Sequence, residues 1–214
     1  DSQMRWMEKV LKQKEALVIE PWHERILDFS AHYEMDKEGI RFSGFVRMLN
    51  DHRGQFFAST VAAHLTSGLG SELPRFLHGK EGNRHKRLYE QIGCRLQEKC
   101  QSLGYLGPLG VDAYVYRDHA EQWRLKPVVE VNPRFTMGRL ALSLRRYAAP
   151  GRVVTLVLLS SVQLRQLKLD SFSEVPSFLH SRFPIQMAGV GLKRISEGAL
   201  CLNDPLTATQ CVAV

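Results

Sequence analysis

Alternation of apolar and polar residues is sharpest between Leu103 and Arg146. In the run GVDAYVY, Val111, Ala113 and Val115 alternate with Asp112, Tyr114 and Tyr116, the period of two expected of a half-buried strand. A polar loop, Asp118 to Arg124, leads to a second alternating run, Lys126 to Asn132. There Val129 and Val131 take one face, and Val128, Glu130 and Asn132 take the other. A hairpin closed around Glu121 sets Asp112 opposite Glu130, with Asn132 beside them. Further on, Thr136 is placed to cap a helix over Met137 to Tyr147, with Leu140 and Leu144 on one side.

Taken in order, the chain opens on Met4, Met7, Val10 and Leu11, whose helical spacing predicts an amphipathic helix with a core-facing side and a cap at Ser2. Residues Ala16 to Trp22 read as a short strand stopped at Pro21. Two strands follow, Ile26 to Tyr33 and Ile40 to Leu49, joined by a turn at Gly39. On the second of these, Arg41 and Arg47 are an even interval apart and should share a face. The pattern blurs over 50–80: a turn at Arg53-Gly54, an apolar patch at Phe56-Phe57, a loop, and a short helix near Ser71 to Leu77. The plainest helix is Asn83 to Leu103, where Leu88, Ile92, Leu96 and Cys100 repeat and Gly104 supplies the stop. Beyond Pro150-Gly151 come a strand at Val153 to Leu159 and short helices at Val162 to Leu169 and Pro176 to Phe183. A hairpin turning at Ser196 to Gly198 and a closing apolar strand complete the chain. These elements predict an α+β fold: a largely antiparallel sheet flanked by helices over 1–150, with an appended small α/β layer over 151–214.

Composition changes this picture little. The 214 residues are 44% hydrophobic and 24% charged, ordinary for a globular protein. No apolar run approaches the roughly 18 residues of a membrane span, and no signal-peptide pattern is present. Four cysteines without CxxC spacing or histidine partners argue against structural zinc and for a reduced, cytoplasmic setting. A net charge of +7 raises nucleic-acid binding, but the basic residues are scattered and no recognition motif accompanies them. Positive potential serves an anionic small molecule equally well.

The candidate chemistry lies in the hairpin. Two carboxylates directly opposite each other repel unless solvated or bridged by a cation. Mg²⁺ resolves the conflict, since it binds through one or two carboxylates together with substrate phosphates. The other reading is a solvated sheet face. The helix beginning after Thr136 would bring an anion-favouring N-terminus near the same place.

Gly110-Val111-Asp112 followed by Glu130-Val131-Asn132-Pro133-Arg134 resembles the last two metal-bearing strands of the ATP-grasp superfamily, where an acid on one strand precedes E-x-N-x-R on the next. The resemblance covers Val18 to about Leu144. It implies that Asp112, Glu130 and Asn132 hold Mg²⁺ (or Mn²⁺) against the phosphates of ATP, and that Arg134 faces the acyl-phosphate or the nucleophile. Glu20 matches the hinge acid in position, and is otherwise a strand-end carboxylate. Asp28 falls where family members place a ribose-binding acid, and is otherwise an exposed strand residue. Arg47 would reach a phosphate if its face is the nucleotide face.

The implied activity is that of a ligase that activates a small carboxylate substrate as an acyl-phosphate for attack by an amine or thiol. The chain carries no glycine-rich loop of the kind that covers ATP in that superfamily. It is therefore expected to be the C-terminal part of a longer enzyme, inactive alone, with homo-oligomerisation open. Two alternatives stand beside this: a non-catalytic binding module of the same fold, and a basic nucleic-acid-binding protein.

Overall fold

A computed structural model describes residues 2–13, 16–51, 54–190 and 192–214. Arg53, expected in a turn, lies outside the described residues, as does the side chain of Ser2, expected as a cap. The architecture is α+β. Seven antiparallel strands form one sheet: β1 (Arg25–Asp36), β2 (Gly39–Asn50), β3 (Phe56–Val61), β4 (Gly107–Arg117), β5 (Trp123–Asn132), β6 (Val154–Ser160) and β9 (Cys211–Ala213). Their spatial order is β5-β4-β1-β2-β3-β6-β9, and β7 (Gln186–Ala188) and β8 (Arg194–Glu197) make a separate ribbon. Residues after 150 thus extend the same sheet through β6 and β9, and also bury a cluster of their own around Leu159, Leu164, Val175, Leu179 and Val212.

Strand β1 organises the sheet. Leu27, Phe29, Ala31, Tyr33 and Met35 all enter the main core, so Asp28, Ser30, His32, Glu34 and Asp36 point to the opposite face. The core face is covered by α2 (Glu72–His78) and α3 (Arg84–Ser102), whose Leu88, Ile92, Leu96 and Cys100 pack there as the four-residue repeat predicts. The polar face is partly covered by α4 (Met137–Leu144), continued by a short 3₁₀ turn at Arg145–Tyr147. Thr136 caps it, its hydroxyl accepting from the Arg139 amide at 3.2 Å. Ala141 of α4 is buried with Val46, Val61 and Leu156. Burial of this apolar side, more than intrinsic propensity, holds so short a helix in place.

Several expectations need correction. The first helix, α1 (Ser2–Lys12), forms but does not face a core: Met4 is 54% and Leu11 57% exposed. Residues 16–24 form no strand, and Val18, Ile19 and Trp22 are exposed, because no strand among the described residues pairs with them. Strand β3 was hidden in a stretch read as loop. Its Ser59 and Thr60 are buried between neighbouring strands, which breaks the alternation that marks a half-exposed strand. The C-terminal ribbon turns between Ala188 and Arg194, with Glu197 ending β8 rather than turning it. Arg41 and Arg47 do not share a face, because the β1–β2 register shifts between His32 and Tyr33, where His32 pairs with Gly44 and Tyr33 with Phe42. The extra residue, Ser43, reverses the parity of everything beyond it.

Candidate metal and phosphate site

Three polar rows cross the face opposite the main core. Glu130, Asp112, Ser30 and Val46 form one, since Asp112 pairs with both Glu130 and Ser30, and Ser30 with Val46. Beside it lie Asn132, Gly110, His32 and Gly44. On the other side Asp28 is paired with Tyr114 and Met48, and Tyr114 with Lys126. The expected juxtaposition of Asp112, Glu130 and Asn132 is therefore present, although by a different route. The turn is a three-residue loop between Asp118 and Gln122, whose amide and carbonyl bond at 3.0 Å, with Glu121 in the left-handed region at φ 58°. That centres the hairpin on Ala120 and would set Asp112 opposite Val128. A bulge between the Asp112–Glu130 and Tyr114–Lys126 pairs, holding Pro127, Val128 and Val129 against Ala113, restores the pairing.

The cluster is closely bonded. Asn132, only 5% exposed, donates through Nδ2 to Asp112 Oδ2 at 3.0 Å and accepts at Oδ1 from Arg134 Nη2 at 3.1 Å. Glu130 is exposed and makes no hydrogen bond or ion pair among the described residues. Burial, reinforced by the Glu130 charge, pushes the Asp112 carboxyl above its usual range, against the opposing pull of Ser30, Asn132 and Arg134. Ser30 Oγ is near enough to favour the charged carboxylate but is not placed in hydrogen-bonding geometry, and like His32 Nε2 it is a buried polar atom without a partner among the described residues. Buried polar atoms left unpaired are uncommon, and these two lie on the rows that carry Asp112 and Asn132.

His32 lies under the start of α4. A Cβ on Gly138 would stand 2.6 Å from His32 Nε2, so only glycine permits this approach. Burial, with a lesser contribution from the Arg139 charge, lowers the His32 pKa to about 4. Arg139 itself is held by Glu34 at 2.5 Å. The start of α4 thereby sits over the row next to Asp112.

The remaining residues named from the sequence fall out as follows. Asp28 is on the same face as Asp112 but is paired with Arg25 at 3.1 Å. Glu20 is paired with Lys126 of β5, which brings the 16–24 segment across this face. His23 stacks on Tyr116 at 4.0 Å, and Arg25 lies 4.5 Å above the Tyr114 ring. Arg47 is not brought to this group. Its side chain points to the helical side, where Nη1 donates to the Ser67 carbonyl at 2.9 Å. Sequence reasoning missed Ser30, His32 and Gly138. The first two were legible as polar residues at every second position of β1, whereas Gly138 gains meaning only from what lies beneath it.

Hard oxygen donors suit Mg²⁺ or Mn²⁺, and two carboxylates with an amide fit a cation that takes its other ligands from phosphate and water. Among the described residues no cluster of three or more His, Cys, Asp or Glu offers an all-protein metal cage. No helix among the described residues is long and apolar enough to cross a membrane.

No protein-family model matches the chain, and no curated protein matches it by sequence. Several solved structures are partly similar to it. An N5-carboxyaminoimidazole synthetase from Staphylococcus aureus, complexed with ADP, shares 13% identity at a TM-score of 0.45, over 87% of this chain and 48% of that one. The synthase from Aspergillus clavatus, in complex with ADP and 5-aminoimidazole ribonucleotide, shares 11% at 0.39, over 96% and 51%. Pyruvate carboxylase from Rhizobium etli shares 12% at 0.41, over 90% of this chain and 20% of that one. The chain thus spans about half the length of the synthetases and a fifth of the carboxylase.

Proposed function

We propose that this chain provides the metal- and phosphate-binding half of an ATP-dependent ligase that activates a carboxylate for attack by an amine or thiol. The observation that carries the reading is the Asp112–Glu130 carboxylate pair, set beside Asn132 and Arg134 on a partly covered polar face. Asp112 and Glu130 would hold Mg²⁺, which when bound neutralises phosphate charge and draws electrons from the transferring phosphoryl group. Asn132 keeps Asp112 and Arg134 in register. Arg134, exposed at the strand end, is placed to meet charge that builds on the phosphoryl oxygens. Asp28 and the 16–24 segment border the site on the side where a nucleoside would extend. Arg47 has no part in this reading.

The test is a Mn²⁺ titration followed by electron paramagnetic resonance, with and without ADP. The intact chain should bind the ion more tightly when ADP is present, and Glu130→Ala should remove that gain while circular dichroism stays unchanged. In the complete enzyme the same substitution should abolish ATP-dependent turnover. A second reading is favoured by one observation: both polar atoms of Asn132 are already satisfied within the cluster. A self-contained network of that kind suits a non-catalytic module. ADP-independent or absent Mn²⁺ binding would decide for it.

A further inference from the structure

A strand can slip by two residues without changing which side chains face the core, so the apolar pattern of β5 does not specify its pairing with β4. Continued regularly from its turn, the hairpin would place Asp112 opposite Val128 and Glu130 opposite Gly110. Glu130 would then sit about 7 Å from its present station, on the same face but no longer beside Asp112. What prevents this is the bulge at Pro127, Val128 and Val129. Among the described residues the bulge has one bond from outside the sheet: Tyr89 Oη of α3, from beneath, donates to the Pro127 carbonyl at 2.9 Å. Tyr89 is fully buried, and its own backbone carbonyl accepts from Tyr33 Oη at 2.6 Å. Pro127 lacks an N–H and leaves the ladder readily, and β5 is an edge strand that tolerates the bulge.

We infer that Tyr89 is a positioning residue: its hydroxyl holds the β5 bulge and so sets Glu130 opposite Asp112, creating the cation seat from the opposite side of the sheet. The register role stands on this geometry alone, while its consequence for a cation rests on the proposed function. In the Tyr89→Phe variant the carbonyl loses its buried donor, and the β5 register loses its lock.

Two measurements on the intact chain separate the two parts. Asp112→Cys with Glu130→Cys gives a register probe, because a disulfide needs Cα atoms within roughly 7 Å, which only the present pairing supplies. Cross-linked peptides mapped by mass spectrometry should form readily with Tyr89 and at least fivefold less with Tyr89→Phe. Mn²⁺ binding by the chain with its natural carboxylates should weaken about tenfold in Tyr89→Phe, the loss expected for one buried hydrogen bond. Deleting Val128 and Val129 removes the bulge yet leaves Glu130 opposite Asp112 in a regular ladder. In that background Tyr89→Phe should change neither readout.

An unchanged cross-link yield in Tyr89→Phe overturns the inference, whatever happens to Mn²⁺. A fallen yield in a chain that takes no Mn²⁺ overturns the cation reading and upholds the register role. If Tyr89→Phe does not fold, folding regained in the deletion background supports the lock. Failure there too refutes it, because the hydroxyl would then be needed for something other than the bulge.

Discussion

The contact between Gly138 and His32 allows a prediction whose sign depends on two opposing effects. In a helix, Gly138→Ala is favourable by up to about 1 kcal/mol, because glycine loses more backbone freedom on folding. Here the added Cβ would lie 2.6 Å from His32 Nε2 and 3.1 Å from His32 Cε1. His32 is 2% exposed, so the ring cannot turn out into solvent. The ring can retreat only by displacing buried neighbours, and overpacking of this kind costs roughly 1–3 kcal/mol. The clash outweighs the propensity gain by about 1 kcal/mol, which lowers Tm by ~2–4 °C in a chain of this size. Thermal unfolding followed by circular dichroism reads the effect. Removing the ring reverses it: on a His32→Ala background, Gly138→Ala should stabilise, since only the propensity term remains. A higher Tm for Gly138→Ala in the unaltered chain would refute the packing argument, as would the same sign in both backgrounds.

Acid should weaken the fold through His32. Its folded pKa near 4 lies below the ordinary 6.5, so its contribution is complete above 6.5 and is lost as pH falls toward 4, by up to about 3 kcal/mol. Denaturant midpoints measured from pH 7.5 to 4.5 should flatten in His32→Gln; an unaltered slope would assign the acid sensitivity elsewhere. Asp112 runs the other way, because its folded pKa is raised: ionising it costs stability as pH climbs through its unfolded value, and the loss levels off above the folded one. Asp112→Asn should therefore raise the Tm of the metal-free chain at neutral pH while eliminating Mn²⁺ binding, and a drop in Tm would show the carboxylate to be structural. Glu121 holds a left-handed backbone that glycine adopts without strain, so Glu121→Gly should stabilise by about 0.5–1 kcal/mol in urea unfolding. A destabilised variant would mean that the side chain, 3.5 Å from Arg117, matters more than the backbone.

The alternation of Val111, Ala113 and Val115 with Asp112, Tyr114 and Tyr116, and the four-residue repeat from Leu88 to Cys100, were enough to draw the central hairpin and its supporting helix. They were enough because each periodicity reports a single boundary between core and solvent, and those elements have one buried side. The polar residues of β1 were legible by the same rule, as alternate positions from Asp28 to Asp36. Where both faces of an element are covered, the period disappears. Strand β3 was lost for that reason, with Ser59 and Thr60 buried in the sheet interior.

Register and parity belonged to the tertiary structure. One extra residue at Ser43 sent Arg47 to the helical side, away from Asp112, and nothing in IRFSGFVRML announces it. The pairing of Asp112 with Glu130 followed from two departures that cancel, a turn one residue earlier than Glu121 and a bulge of two at Pro127. Local sequence sets which side of a strand is apolar, since that choice is made against water at every residue. It does not set how far one strand has slid along its neighbour when the slide preserves the faces. That choice is made by distant groups, here Tyr89 on a helix beneath the sheet, which reach the backbone only once the chain has folded.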